Sequence, residues 1–297
     1  MRVDPNISAI LNTGIQNTQQ SLNTSVEQLA SGQRVALPSD DPAAAAANLE
    51  SLATSANVDR YTRNGDAVLS QIQMADSALS SVIGELNQAV TLGVQGADGS
   101  MNSADRASIA TQVQSILSGV VSQANTTFNG ISLFAGTAGV ANAFVADSSS
   151  ANGYTYQGNS TINAATIGSN LQISVNIPGD QIFVNPNGNV LGSLQQLVTA
   201  LNSGTTSEIG AAVAEVNTAI ANVSQQRVIY AGTVKQIESQ ESFLSQESVS
   251  LTAQQQSLTG IDLATAVTNM TQAQIAHSAV LAAAAKVLPT SLLDYLK

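Results

Sequence analysis

The chain is predicted to be mainly α with a small β domain: an elongated, coiled-coil-like rod of long helices drawn from both termini, interrupted by a central antiparallel β insertion. Three observations lead there. Apolar residues recur every seventh position over two long stretches, one in each half of the chain. Helical spacing stops between Val140 and Pro186, where β-branched and aromatic residues alternate with polar ones. The composition has little bulk for a compact globule: of 297 residues 43% are apolar but only 3% aromatic, and 10% are charged. Small side chains bury little area each, at about 25 cal/mol per Å².

The amino-terminal stripe Ile7, Ile10, Leu11, Ile15, Leu22, Val26 and Leu29 predicts a first amphipathic helix. Its polar face lacks the Lys/Arg and aromatic anchors of a membrane-surface helix, so helix association, within the chain or between copies, is the expectation. In Pro38-Ser39-Asp40-Asp41-Pro42-Ala43, Asp41 can cap the next helix and Pro42 suits its first position. That helix carries Tyr61, Val68, Ala75, Val82 and Ala89 with Gly65, Ile72, Leu79, Leu86 and Gly93. A glycine-rich turn, Gly93 to Gly99, leads to the stripe Ile109, Val113, Ile116, Val120 and Ala124. No strand precedes that turn, so it reads as a helix connection and not a phosphate loop.

The strand-like pieces are Tyr154 to Gln157 and Leu171 to Ile177, with Pro178-Gly179-Asp180 as punctuation. Six of the ten aromatics fall between Phe128 and Phe183, which places a conventional core there. After a short helix over Leu191 to Leu201, the last long one carries Ile209, Val216, Val223, Tyr230, Ile237, Leu244, Leu251 and Leu258. Eight apolar residues in register have a chance of about one in a thousand. The companion positions turn polar at Glu241, Ser248 and Gln255. About 50 residues of helix span on the order of 75 Å, and Gly232 marks a bend or a close helix contact. Gly260 ends this helix and Asp262 caps a terminal one with Leu263, Val267, Met270, His277, Leu281 and Leu288 along one side. The expected domains are a terminal region of 1–40 with 259–297, a helical rod of 41–138 with 189–258, and a β domain over 139–188.

Most catalytic chemistry is excluded by residue type. The chain has no Cys and one His, which removes disulfides, thiolate metal sites and multi-histidine centres. Neither a metal nor any other cofactor is expected. With nine cations against twenty carboxylates and a net charge of -11, it is poorly suited to nucleic acid. Its longest apolar run, Ala279 to Ala285, is far short of about 20 residues, so no membrane insertion is expected, and residues 1–14 lack a cleaved secretory signal. His277 sits on an apolar stripe and reads as a packed or interface residue, as do Met74, Met101 and Met270. Asp40 and Asp41 are adjacent and do not face one pocket, so capping and contact with Arg34 explain them. A hydrolase or carbohydrate-binding module would have to use Asp147 and Asp180 in the central lobe, within about 10 Å of each other.

Two segments carry a family resemblance. Leu29-Ala30-Ser31-Gly32-Gln33-Arg34-Val35 with Pro38-Ser39-Asp40-Asp41-Pro42-Ala43 resembles the amino-terminal motif of the bacterial flagellin superfamily, and Ile261-Asp262-Leu263-Ala264 through Gln274 resembles its carboxy-terminal motif. Three more segments resemble the hook-associated branch of that superfamily, which joins hook to filament: Asn129 to Thr137, Tyr156 to Asn159 with Ile177 to Phe183, and Ser291 to Leu296. Gln88, Val90 and Thr91 stand where flagellins usually carry two arginines and a glutamate.

The resemblance implies a non-enzymatic structural subunit, with the filament subunit as the alternative. It would be exported unfolded through the flagellar type III channel by a dedicated chaperone and would reside in the extracellular flagellum. Its implied partners are copies of itself in a ring, a neighbouring hook-filament junction protein, and flagellin or the filament. The motif residues it singles out are Ser31, Gly32, Arg34, Ser39, Asp40, Asp41, Pro42 and Asp262. The terminal stripes are expected to pack between subunits.

Overall fold

A computed structural model describes the backbone of residues 5–150 and 152–295 and the side chains of residues 8–150 and 152–286. Seven helices and six short strands follow in the order α1 (Pro5–Ser31), α2 (Pro42–Gly96), α3 (Ser103–Ala124), β1 (Thr127–Phe128), β2 (Ile131–Ser132), β3 (Phe144–Ala146), β4 (Tyr154–Tyr156), β5 (Ala164–Thr166), β6 (Gln172–Ser174), α4 (Gly179–Phe183), α5 (Val190–Ser203), α6 (Thr206–Thr259) and α7 (Leu263–Tyr295). The architecture is mainly α with long helices from both termini and antiparallel strands in the middle, as the sequence predicts. The chain divides into two compact units: residues 1–57 with 246–297 (unit 1) and residues 58–245 (unit 2). The division falls inside α2 and α6.

Helix starts follow capping chemistry. Asp41 Oδ1 accepts the Ala44 amide at 3.0 Å ahead of α2, and Asn102 and Asn189 do the same for α3 and α5. Thr205 and Glu208 form a reciprocal capping box at α6: the Thr205 amide donates to Glu208 Oε2 at 2.6 Å and the Glu208 amide to Thr205 Oγ1 at 3.3 Å. That Thr-x-x-Glu pattern is legible in the sequence, independently of the heptad spacing.

Unit 2 is built on the two heptad seams. Val68, Ile72, Ala75, Leu79, Val82, Leu86 and Ala89 of α2 are buried, as are Ile209, Val216, Val223, Tyr230, Ile237 and Leu244 of α6. The companion Glu241 lies over the buried Gly65 of α2. Gly232 is exposed with nothing near its missing Cβ, so it marks no helix contact, and α6 runs through it unbroken.

The β insertion is less of a sheet than its alternation suggests. It forms three separate antiparallel pairs, β1 with β2, β3 with β4 and β5 with β6, each two or three residues long. Pro178 opens the short helix α4 instead of a turn. Such short ladders hold few backbone bonds, so side chains anchor the segment to the helices. Asn125, at the end of α3, donates to the Phe144 carbonyl and accepts its amide, both at 2.8 Å. The Tyr230 hydroxyl of α6 accepts the Ile177 amide at 3.1 Å. The buried Asn222 amide group donates to the carbonyls of Ile182 at 3.0 Å and Gly188 at 3.2 Å. Phe134, Phe144 and Phe183 meet edge to face, with centroids 5.3 Å apart for Phe183 with each of the other two. The aromatics sit where the sequence placed them, but their core is continuous with that of the long helices.

Candidate assembly interface

In unit 1 the two motifs that lie more than two hundred residues apart in sequence meet. A helix leaves its last carbonyls without partners, and here the start of the chain supplies them to the end of α6. Arg34 Nη2 donates to the Leu258 carbonyl at 2.9 Å, and the Arg34 amide donates to the Thr259 carbonyl at 2.7 Å. In return the Ile261 amide donates to the Gly32 carbonyl at 3.1 Å, and Gln33 and Gly260 form an isolated antiparallel bridge. Gly32 has φ of 69° and closes α1 through its amide on the Gln28 carbonyl, a conformation a side chain would strain.

The remaining motif residues shape this junction. Arg34 Nη1 reaches Asp41 Oδ2 at 3.2 Å, so one guanidinium joins the α6 terminus to the cap of α2. The Ala44 amide first, and then Arg34, hold the Asp41 carboxyl below the usual carboxylate range. Asp40 Oδ2 accepts the amides of Ala36 and Leu37, at 3.1 and 2.8 Å, and locks the turn. Ser31 Oγ accepts the Gln33 amide, Pro42 opens α2, Ser39 is exposed in the turn, and Asp262 Oδ1 caps α7 through the Ala264 amide at 2.9 Å. The adjacent aspartates therefore cap and brace, as their spacing suggested.

Helices α1 and α7 pair antiparallel. Gly14 lies against Val280, and Thr18 Oγ1 meets His277 Nδ1 at 3.1 Å. Leu11, Ile15, Thr18, Leu22 and Leu29 are half-buried on α1. The facing seam of α7 differs from the expected stripe: Ala266, Met270, Ala273, His277, Val280 and Ala284 turn inward, at heptad spacing. Of the bulky residues expected along that side, Met270 and His277 join the seam, whereas Leu263 (62%), Val267 and Leu281 are exposed. Ile10 (68%) and Val26 are exposed on α1 and Ile275 (64%) on α7. The side chains of Ile7 and Leu288 lie outside the described residues. On α7 the alanines alternate with Met270, His277 and Val280 along the seam while Leu263, Val267 and Leu281 are left outside it, and α1 turns Leu11, Ile15, Leu22 and Leu29 inward. The heptad spacing of Ala266, Ala273 and Val280 was the signal available.

Other candidate chemistry resolves into packing. A Cβ on Gly93 would stand 2.5 Å from Val213 Cγ2, and one on Gly96 would collide with Leu201, so these glycines admit neighbouring side chains instead of a phosphate. Asp147 is held by the Ser149 and Thr155 hydroxyls, both at 2.6 Å, which pull its carboxyl down to about 2. Ser160 donates to Asp180. Asp147 is thus committed within its own hairpin, where an acid held ionised is a poor proton donor, and Asp180, on α4, is committed to the hydroxyl of Ser160. Among the described residues no group of three His, Cys, Asp or Glu could hold a metal ion, and no helix is long and apolar enough to cross a membrane.

Residues 5–139 match the bacterial flagellin N-terminal helical region and residues 213–296 the bacterial flagellin C-terminal helical region. Flagellar hook-associated protein 3 of Escherichia coli K12 is 34% identical over 124 residues, 41% of this chain and 39% of that protein. Flagellin B of Helicobacter pylori 26695 is 31% identical over 139 residues, 46% of this chain and 27% of that protein. The chain thus spans well under half the length of these curated relatives. A flagellar hook-associated protein of Vibrio parahaemolyticus has a similar fold, with a TM-score of 0.68 at 21% identity, covering 74% of this chain and 99% of that one. With both of its terminal motifs in place and joined at one junction, the chain belongs to the bacterial flagellin family.

Proposed function

We propose that this chain is a structural subunit of the bacterial flagellum that joins hook to filament. On this reading copies assemble as a ring on a neighbouring junction protein and bear the filament. Each copy is exported unfolded by the flagellar type III system with a dedicated chaperone and works outside the cell. The observation that carries the reading is the α1–α7 pair. Its motif-built junction gives it a defined place in the fold, yet it leaves Ile10, Val26, Leu263, Val267, Ile275 and Leu281 uncovered. Apolar residues on both helices of a thin pair are satisfied by like helices of other copies. We assign the terminal stripes, from Ile7 to Leu29 and from Leu263 to Leu288, to packing between subunits, residues 41–138 with 189–258 to an outer rod, and residues 139–188 to an exposed lobe.

Similarity to flagellin B keeps one rival in the same structural class, the filament subunit itself. Immunogold labelling of isolated flagella separates the two: a single band between hook and filament is expected, and label along the whole filament would overturn the junction role. A deletion strain is expected to keep its hooks and shed its filaments into the medium. Loss of the filament polymer altogether would favour the rival.

A further inference from the structure

Two glutamates of unit 2 share an arrangement that the seams do not require. Glu85 of α2 lies across Gly119 of α3, where an added Cβ would stand 2.9 Å from Glu85 Oε1 and 3.0 Å from Oε2. Glu241 of α6 lies across Gly65 of α2, where a Cβ would stand 3.4 Å from Glu241 Oε1. In each case a glycine on the neighbouring helix leaves room for a carboxyl group. One oxygen of each, Oε2 of Glu85 and Oε1 of Glu241, is shut from solvent without a hydrogen-bond partner. An ionised carboxylate in that position has given up hydration with nothing in return, a cost the protonated form largely avoids.

We propose that Glu85 and Glu241 are proton-operated fasteners: each takes up a proton in the packed helices, so acidification tightens α2 against α3 and α6, and rising pH loosens both seams. The surroundings support this. The ionisable residues of α3, Asp105 and Arg106, lie near its first turn, about 20 Å along the helix from Gly119, and burial alone pushes the Glu85 carboxyl up. Glu241 is raised first by burial and then by Asp66 of α2 and Glu238 of its own helix, with no cation acting against them. The loop segment at Gly168 that packs on Gln240 brings no titratable group. A carboxyl raised in the folded state stabilises below its unfolded value, and that contribution is lost as pH rises through the folded one.

Urea unfolding of the full chain between pH 5 and pH 8 tests the proposal. The wild-type folding constant is expected to grow as pH falls through the raised folded values toward the ordinary value of 4.5. The E85Q/E241Q double variant is expected to be nearly flat over the same range and more stable than wild type at pH 8. Gly119→Ala, which pushes Glu85 off its seat but keeps its carboxyl, is expected to remove only the Glu85 share. Equal slopes in wild type and double variant would overturn the idea. Carboxyl ¹³C titration of the wild type decides it if the glutamine variants do not fold: midpoints for both glutamates above the ordinary range support it, and midpoints within that range end it.

Discussion

The α1–α7 pair and the core of unit 2 use apolar residues in opposite ways. In unit 2 the bulky side chains Phe134, Phe144 and Phe183 and Leu191, Leu194 and Leu197 of α5 are fully buried, and the strand segment is held on the helices by Asn125, Asn222 and Tyr230. In α1 and α7 the buried apolar side chains, among the described residues, are the alanines Ala266, Ala273 and Ala284; Leu11, Ile15, Leu22, Leu29 and Val280 are half-buried, and Ile10, Val26, Leu263, Val267, Ile275 and Leu281 are exposed. Unit 2 buries a core of bulky side chains within a single chain, although Val228, Ile229 and Phe243 stay exposed on it. The α1–α7 pair leaves Ile10, Val26, Leu263, Val267, Ile275 and Leu281 exposed around a seam of smaller and half-buried residues. The difference lies in which residues take the seam, since both regions have helical periodicity.

The largest expected effect is in the first region. Phe183→Ala removes a ring that touches both other phenylalanines, and a loss of about 3–5 kcal/mol is expected in urea unfolding. A loss under about 1 kcal/mol would mean that the aromatic cluster is not a true core. Asn222→Ala leaves the carbonyls of Ile182 and Gly188 buried and unpaired, and about 1–3 kcal/mol should go with it.

Two glycines sharpen the contrast between crowded and open helix faces. Gly93→Ala places a methyl against Val213 and Leu197 and is expected to destabilise, whereas Gly232→Ala meets open space and should stabilise by about 0.5–1 kcal/mol. Equal signs would remove the packing explanation for Gly93, which lies within α2. Asp147 supplies the pH dependence opposite to that of the two glutamates. Its carboxyl is held at about 2 by Ser149 first and then Thr155, so its contribution is present above the ordinary value of 3.8 and lost as pH falls from there through about 2. Asp147→Asn should flatten acid unfolding in that window, read by circular dichroism. The smallest effect belongs to the terminal pair: Ile275→Ser should change the stability of the dilute chain by less than about 0.5 kcal/mol, while reducing its incorporation into flagella. A large loss in the dilute chain would mean that Ile275 is already buried there.

Much of the fold was legible because heptad spacing is a one-dimensional signal. The seams of α2 and α6, the caps at Asp41 and Asp262 and the aromatic cluster each depend on residues close in sequence, and the helices follow from them. The candidate site was legible as two motifs but not as one junction. Nothing in the local pattern around Arg34 says that its partner is a carbonyl at Leu258, because any helix end offers the same unpaired carbonyls. The strands were read longer than they are, since alternation marks a preference, and pairing partners decide length.

The sequence by itself determined that this chain forms long helices of small residues, that it has no thiol and one imidazole, and that it carries flagellin motifs near both ends. Tertiary structure decided which face of each terminal helix is spent inside the subunit. Leu263 and Ala266 are both apolar and nearly adjacent on α7, yet one is exposed and the other buried. Periodicity marks faces without naming their neighbours. Along α7 the alanines let α1 come close, and Leu263, Val267, Ile275 and Leu281 fall on the faces that remain exposed.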